Sequence, residues 1–384
     1  MKILIVSLHP THPSIEGNRK FILRQTELFE RLGHSLHLLL VSLNNEEWAD
    51  ENTPSYYQIK EIWQGRLSIY RCSWFYLKKR GLIEHFRNVF NDGCICCDDY
   101  YPNDLGSFVN NLNKEHNFDC CIINYYILSK LFSQISIPLQ GLVTHDHFSY
   151  KNILTGEKKV WIGTMPNQEG RALQRCKNIF ALNTEEASFF KCLSPRSNIY
   201  NVFSIYNVIQ TPITNNHSIL FLSGNNKYNQ NGLLWFIDSV FPKILKRFPD
   251  SKLVIAGGIC KYLDCSYMHK NIQLLGYVND ELELYKLGDV AINPTYQGTG
   301  LKIKTFEAIS YGKIVMAHPH SAIGIYKPEE APVFTSDDPL RWVDFLVKIW
   351  DNPRRIEELK MKDEEYIEEM NNFVISEYQR FFNS

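Results

Sequence analysis

The residues of this chain best suited to chemistry lie in GTGLKIKTFEAISYGKIVMA, 298–317. Gly298 and Gly300 precede two lysines, Lys302 and Lys304, and one carboxylate, Glu307. The pattern predicts a helix that starts near Leu301 and ends at Gly312, followed by a buried strand at Ile314–Ala317. The first turn of a helix carries free N–H groups and the positive end of the macrodipole, so lysines there cost about 0.3–1 kcal/mol. A bound diphosphate reverses that sign, because N–H and ammonium groups then face negative oxygens together. The glycines let backbone approach such a ligand closely. Glu307, further along the helix, is placed to accept hydrogen bonds from the two hydroxyls of a ribose. The plain alternative is that both lysines snorkel to solvent and Glu307 is an exposed helix acid.

Composition narrows the classes. The chain has 384 residues, 44% hydrophobic and 22% charged, with net charge −1. That is an ordinary globular balance and argues against a general nucleic-acid binder, which carries a basic surplus. No apolar run approaches the roughly 20 residues of a membrane span. The first residues, MKILIVSLHP, read as a strand of a cytoplasmic protein rather than a leader. Ten cysteines include Cys94 and Cys97 in C-x-x-C spacing, but no second matching pair follows, so reduced thiols are expected rather than zinc. The adjacent acids Asp98-Asp99 and Asp337-Asp338 stand in unpromising contexts, and no metal or cofactor is expected.

The elements that must position these residues alternate. KILIVSL (2–8), a Pro- and Gly-containing loop, a helix from about Arg19 to Leu32 and SLHLLLVS (35–42) form a βαβ unit, hence a parallel sheet. Residues 44–117 are less regular. Strands are expected at Cys120–Asn124, Leu139–Thr144 and Asn178–Leu182, a long helix over 157–176, and a further helix from Thr184 as its cap. A Pro-, Thr- and Asn-rich stretch, 203–217, reads as a linker, after which the chain starts over with ILFL (219–222), a helix over 232–247, KLVIA (252–256), IQLLG (272–276), a helix over 280–288 and VAIN (290–293). The expected organisation is 1–207, linker 208–217, 218–365, and a helix 366–384 packing back on the first domain. Ligands of open parallel sheets bind beyond the C-terminal strand ends.

Residues 290–324 resemble the C-terminal signature of glycosyltransferases of the GT-B fold, in particular the retaining family four, also called group 1. FLSGNNKYNQNGLLWFIDSVFPKI (221–244), LVIAGG, QLLGYVND and LYKLGDVAINPT fit the same family in order and spacing, as do 17–34 and VTHDHF (143–148). The resemblance implies two Rossmann-like doubly wound α/β domains facing across a cleft. It implies an enzyme of the cytoplasm or of the inner membrane face that moves a sugar from a UDP- or GDP-sugar to a glycan or lipid-linked acceptor in bacterial surface polysaccharide synthesis. Donor contacts are implied for Gly17, Asn18, Gly224, Lys227, Tyr277, Val278, Gly300, Leu301, Lys302, Lys304 and Glu307. The resemblance implies that His145, with Asp146 beside it, faces the reacting sugar; by their places, Lys302 at its helix start is a candidate to aid the leaving group, and His9 in the first loop and Arg19 at the start of the first helix are candidates to meet the acceptor.

The chain also departs from the family. Thr299 stands where a first acid is common, and Asn225 and Gln230 fall near the family's Arg and Lys. A branch reading G-x-G-x-K-x-K-x-x-E is similar to the present pattern, with lysines restoring the charge. Two further readings therefore stay open, a nucleotide-sugar epimerase on the same fold and a non-catalytic nucleotide-binding subunit. A dehydrogenase is disfavoured, since no G-x-G-x-x-G follows the first strand. The run 74–90 mixes aromatics with Lys78, Lys79, Arg80 and Arg87; a solvated face over a core stripe is favoured over contact with a membrane surface.

Overall fold

The computed structural model describes residues 1–14, 16–90, 97–155, 164–263, 267, 269–300 and 302–384. It divides into two units: Met1–Ile205 with Thr299–Leu301 and Val374–Ser384, and Tyr206–Gly298 with Lys302–Phe373.

Unit 1 is a seven-stranded sheet of β1 (Lys2–Ser7), β2 (Ser35–Ser42), β3 (Leu67–Arg71), β4 (Cys120–Asn124), β5 (Leu139–Val143), β6 (Asn178–Ala181) and β7 (Asn198–Asn201), in the order β3-β2-β1-β4-β5-β6-β7. All pairs are parallel. Residues 3–6 and 36–41 are buried throughout. Such runs, apolar but for His37, are what strands covered by helices on both faces require. The helices are α1 (Gly17–Arg31), α2 (Pro54–Trp63), α3 (Trp74–Phe90), α4 (Leu105–His116), α5 (Phe148–Thr155), α6 (Pro166–Leu173) and α7 (Thr184–Leu193).

Helix α1 buries Phe21, Ile22, Leu28 and Phe29. It ends in a Schellman turn: Gly33, at φ +83°, donates to Glu30 and His34 donates to Phe29, both at 3.0 Å. Phe29 packs edge-on against Tyr378 and Phe382 at ring distances of 4.9 and 5.2 Å, and Gln25 Nε2 donates to the Tyr378 hydroxyl at 2.8 Å. The chain's last residues thus complete the core of unit 1; each buried ring contributes about 2–3 kcal/mol.

Unit 2 repeats the plan with β8 (Ser218–Leu222), β9 (Lys252–Ala256), β10 (Ile272–Gly276), β11 (Val290–Asn293), β12 (Ile314–Ala317) and β13 (Val333–Thr335), in the order β10-β9-β8-β11-β12-β13, all parallel. Its helices are α8 (Lys227–Trp235), α9 (Phe241–Arg247), α10 (Glu281–Tyr285), α11 (Ile303–Ser310), α12 (Pro339–Trp350) and α13 (Pro353–Phe382), the last running on into unit 1. Buried Asp289 anchors the start of this unit, accepting from Thr214 N, Thr214 Oγ1 and Asn215 N at 2.8–3.1 Å. In both sheets the strand order reverses beside the first strand, between β1 and β4 and between β8 and β11. At such switch points two neighbouring loops part and leave room for a ligand.

Several expected elements differ in detail. Of the long helix expected over 157–176, the described part holds one short helix, α6, opened by Pro166; 156–163 lie outside the described residues. The cap of α7 is Asn183, whose Oδ1 accepts from Glu186 N at 2.8 Å, and Thr184 is the first helical residue. The helix expected over 232–247 starts earlier, at Lys227, and holds a π turn at Phe236–Val240 before Pro242. The irregular 44–117 contains α2, β3, α3 and α4.

Candidate active site

One group of candidate residues sits on the loops that follow β8, β10 and β11 and on helices α8 and α11. Gly298 and Gly300 adopt φ of +101° and +83°, a left-handed backbone open to glycine and strained for other residues. His320 Nε2 lies 2.7 Å from the Gly298 carbonyl and ties this loop down. Helix α11 then starts at Ile303 with Lys302 as its cap residue. It has no side-chain cap and no acid in its first turn. Its far end is a second Schellman turn, with Gly312 at φ +63° donating to Ile309 at 2.8 Å and Lys313 donating to Ala308 at 3.0 Å. The N–H groups at the front of α11 are therefore turned toward the space beyond β11, where an anion gains from both dipole and hydrogen bonds. Leu301 lies outside the described residues.

The two lysines of the signature part company. Lys302 is half-buried at the helix start. Lys304 runs back under the loop after β8: its Nζ donates to Asn229 Oδ1 at 2.6 Å and Ser223 Oγ at 3.1 Å, and lies 5.2 Å from the centre of the Phe221 ring. Burial pushes its ammonium down to about 7, with the charge of Lys302 adding to the effect. Asn229 in turn donates to the Gly224 carbonyl at 3.0 Å and meets Thr295 Oγ1 at 3.4 Å. Lys304 thus binds together the two loops that part at the switch point. Neighbouring Gly232 allows this closeness, since a Cβ there would lie 2.8 Å from Thr295 Cα.

Glu307 is 3% exposed, not a surface acid. It faces the interior near Tyr285, whose phenol is pushed far up, mainly by burial and next by this carboxylate. Tyr277 is 64% exposed and Val278 is half-buried beyond the end of β10. Gly224 and Lys227 are exposed at the head of α8. Asn225 and Gln230, near the positions of the family's cations, bond each other, Gln230 Nε2 donating to Asn225 Oδ1 at 2.7 Å.

In unit 1 the candidates gather around rings. His145 has φ +66° and stacks on Tyr125 at 4.3 Å with the planes 15° apart. Its Nε2 lies 2.7 Å from Asn124 Oδ1, and Phe21 meets it edge-on at 5.5 Å. Asn18 Nδ2 donates to the Tyr125 hydroxyl at 3.0 Å, and the His9 ring lies 5.4 Å from Tyr125. Burial first and the neighbouring His9 second hold the His145 imidazole down to about 3. His9 is held down to about 4 by burial and then by Arg19. Both rings are neutral at physiological pH, which suits hydrogen bonding and not proton donation as imidazolium.

Asp146 accepts from Lys151 Nζ at 2.8 Å and from His147 N at 3.0 Å. His147 points elsewhere, toward Tyr150 and Phe189. Arg19 Nε lies 3.2 Å from Glu16 Oε2, and Gly17 is the first residue of α1. Sequence reading missed Asn124 and Tyr125, which hold His145. It also missed Glu169: fully buried, it accepts from Phe148 N and Ser149 N, both at 3.1 Å, and from the Ser149 hydroxyl. Burial pushes the Glu169 carboxyl up to about 7. The Asn-Tyr-Tyr run closing β4 is the one signal that pointed to the first two.

Among the described residues no group of three or more His, Cys, Asp or Glu side chains is placed to hold a metal ion; Cys94 lies outside them. Comparison with known proteins adds to this geometry. Residues 216–352 match the family model described as Glycosyl transferases group 1. An uncharacterized 44.6 kDa protein in the cps region of Klebsiella pneumoniae is 23% identical over 96% of each chain. Sucrose-phosphate synthase from Thermosynechococcus elongatus aligns with a TM-score of 0.69 at 12% identity, covering 100% of this chain and 98% of its own. The pneumococcal O-GlcNAc transferase GtfA, crystallised with UDP and GlcNAc, aligns with a TM-score of 0.66 at 10% identity, covering 99% and 98%. Two parallel sheets, each with flanking helices, give this chain the GT-B fold, and residues 216–352 resemble the group 1 glycosyltransferases.

Proposed function

We propose that the chain is a retaining glycosyltransferase, taking a UDP- or GDP-sugar and passing the sugar to a glycan or glycolipid acceptor in bacterial surface polysaccharide synthesis. The observation that carries this reading is the front of α11. It combines left-handed glycines, an uncapped helix start free of acids, and Lys302, all inside the group 1 match. Charge grows on the diphosphate as the bond to the sugar breaks, and preorganised N–H and ammonium groups stabilise it at that moment. The bond from the anomeric carbon to the phosphate oxygen breaks. The acceptor oxygen bonds the same sugar face, and its proton passes to the departing phosphate. Glu307 takes the ribose hydroxyls, Tyr277 and Val278 flank the base, Asn18 and Gly17 stand near the sugar, and neutral His145 hydrogen-bonds it, with Asp146 alongside.

The UDP in the GtfA crystal supports that donor class, and the cps-region relative supports the polysaccharide setting. A panel of UDP-, GDP- and CMP-sugars tests the reading. Slow donor hydrolysis that yields UDP or GDP supports transfer. Release of a free epimerised sugar points to the epimerase, and binding without turnover to a non-catalytic subunit.

Among the described residues no helix is long and apolar enough to cross a membrane. On α3, Phe75 is 75% exposed and Leu82 60% exposed, with Lys78 and Lys79 on the same face at helical spacing. That face supports a peripheral seat on the anionic inner leaflet. Sedimentation with anionic vesicles should carry the protein down, and Phe75→Ser with Leu82→Ser should release it. Equal sedimentation of both forms would exclude this face.

A further inference from the structure

Unit 1 holds a cavity of about 440 Å³ at the C-terminal ends of β1 and β2. That volume lies in the range that takes a small ligand. His9 lines it and stands 5.4 Å from Tyr125, the ring on which His145 stacks, so the cavity continues from the candidate site.

The charges of its wall decide what enters. Arg19 and Arg80 face three carboxylates, those of Glu16, Glu46 and Glu47. Both cations are already engaged. Arg19 pairs with Glu16 at 3.2 Å. Arg80 is buried, donates to the Leu43 carbonyl at 3.3 Å and lies 5.1 Å from the Tyr100 ring. Glu46 is fixed by Ser42 Oγ at 2.5 Å and Asn44 N at 3.2 Å, and exposed Glu47 accepts from Ser55 Oγ at 3.3 Å. A carboxylate accepts several hydrogen bonds and donates none, so the remaining lone pairs of these two acids call for donors such as hydroxyls. Trp48 and Tyr100 supply apolar surface to the same wall.

We propose that this cavity receives an uncharged sugar ring of the acceptor, whose hydroxyls donate to Glu46 and Glu47, and turns away sugars bearing a carboxylate or phosphate. An anion placed here meets the carboxylates of Glu46 and Glu47, whose hydrogen bonds come from neutral donors, while Arg19 is held by Glu16 and Arg80 by the Leu43 carbonyl and the Tyr100 ring; such like-charge contact discriminates strongly. The assignment as acceptor site rests on the transferase reading; the selection for neutral sugars rests on the wall alone.

Saturation-transfer NMR on the full chain tests it, with methyl glucopyranoside and methyl galactopyranoside against methyl glucuronide and glucose 1-phosphate. The neutral glycosides should bind and the anionic ones bind about tenfold more weakly or not at all. Glu47→Lys, at an exposed position that leaves the core untouched, should weaken the neutral probes and admit the anionic ones. Anionic probes binding the unaltered protein as well as neutral ones, no binding by either neutral glycoside, or an unchanged ranking in Glu47→Lys each overturns the proposal. UDP and GDP binding, measured on the same samples, keeps the two readings apart. Loss of nucleotide binding defeats the transferase assignment, whereas the sugar ranking reads only the cavity.

Discussion

The strand-end loops of unit 1 and of unit 2 occupy equivalent places in equivalent sheets, yet they are built of different materials. In unit 1 the loops after β1, β4 and β5 present His9, Tyr125 and His145, neutral rings in contact, His145 stacked on Tyr125 and His9 tilted against it. In unit 2 the loops after β8 and β11 present glycines in left-handed backbone, helix N–H groups and two lysines. A polyol needs rigid polar edges and flat apolar faces, whereas a diphosphate needs N–H groups and cations. The same topology can serve either ligand because the strand ends fix only where the loops begin; the residues on them set the chemistry.

Crossed substitutions sharpen this contrast most. Glu307→Ala should weaken UDP or GDP binding by about a hundredfold, the cost of losing hydrogen bonds to a buried carboxylate. His145→Ala should leave nucleotide affinity unchanged and lower turnover by about thirtyfold, the worth of one polar contact in the transition state. Isothermal titration and kcat measured on both variants decide the matter. Matching losses of affinity in the two would erase the division of labour.

Lys304 offers a smaller and more specific effect. Its ammonium sits near 7 in the folded chain against 10.5 when unfolded. The unfolded chain therefore binds more protons between those values, and stability should rise as pH climbs through that window. Lys304→Met should flatten the rise in chemical denaturation curves. An incoming diphosphate pulls the ammonium back toward its ordinary value. UDP binding in alkaline buffer inside the window should then take up about one proton at most, read as a buffer-dependent binding enthalpy and lost in Lys304→Met. A buffer-independent enthalpy in the unaltered protein would separate Lys304 from the phosphate field.

Much of this was legible beforehand. The apolar runs inside β1, β4, β8, β9 and β11 are unbroken because strands covered on both faces need few polar positions; in β2 only His37, which meets Ser68 Oγ, interrupts the run. Gly33 and Gly312 marked helix ends because only glycine adopts that turn cheaply. Residues 44–117 were opaque because α2, β3 and α3 are partly exposed and half-amphipathic, so neither period stands out. The start of α8 was hidden as well: Asn226 caps it through Asn229 N at 3.0 Å, yet the Asn- and Gln-rich run looks like loop.

By itself the sequence determined the repeated strand-helix alternation and the glycine turns ahead of α11, since each follows from periodicity or from backbone demands local to a few residues. Only the tertiary structure decided that Lys304 turns inward to Ser223 and Asn229 while Lys302 stays at the helix mouth, that Glu307 is buried beside Tyr285, and that Asn124 and Tyr125 hold His145. Those pairings join residues up to 81 positions apart, and the direction of a side chain across such a distance is set by packing that no local pattern encodes.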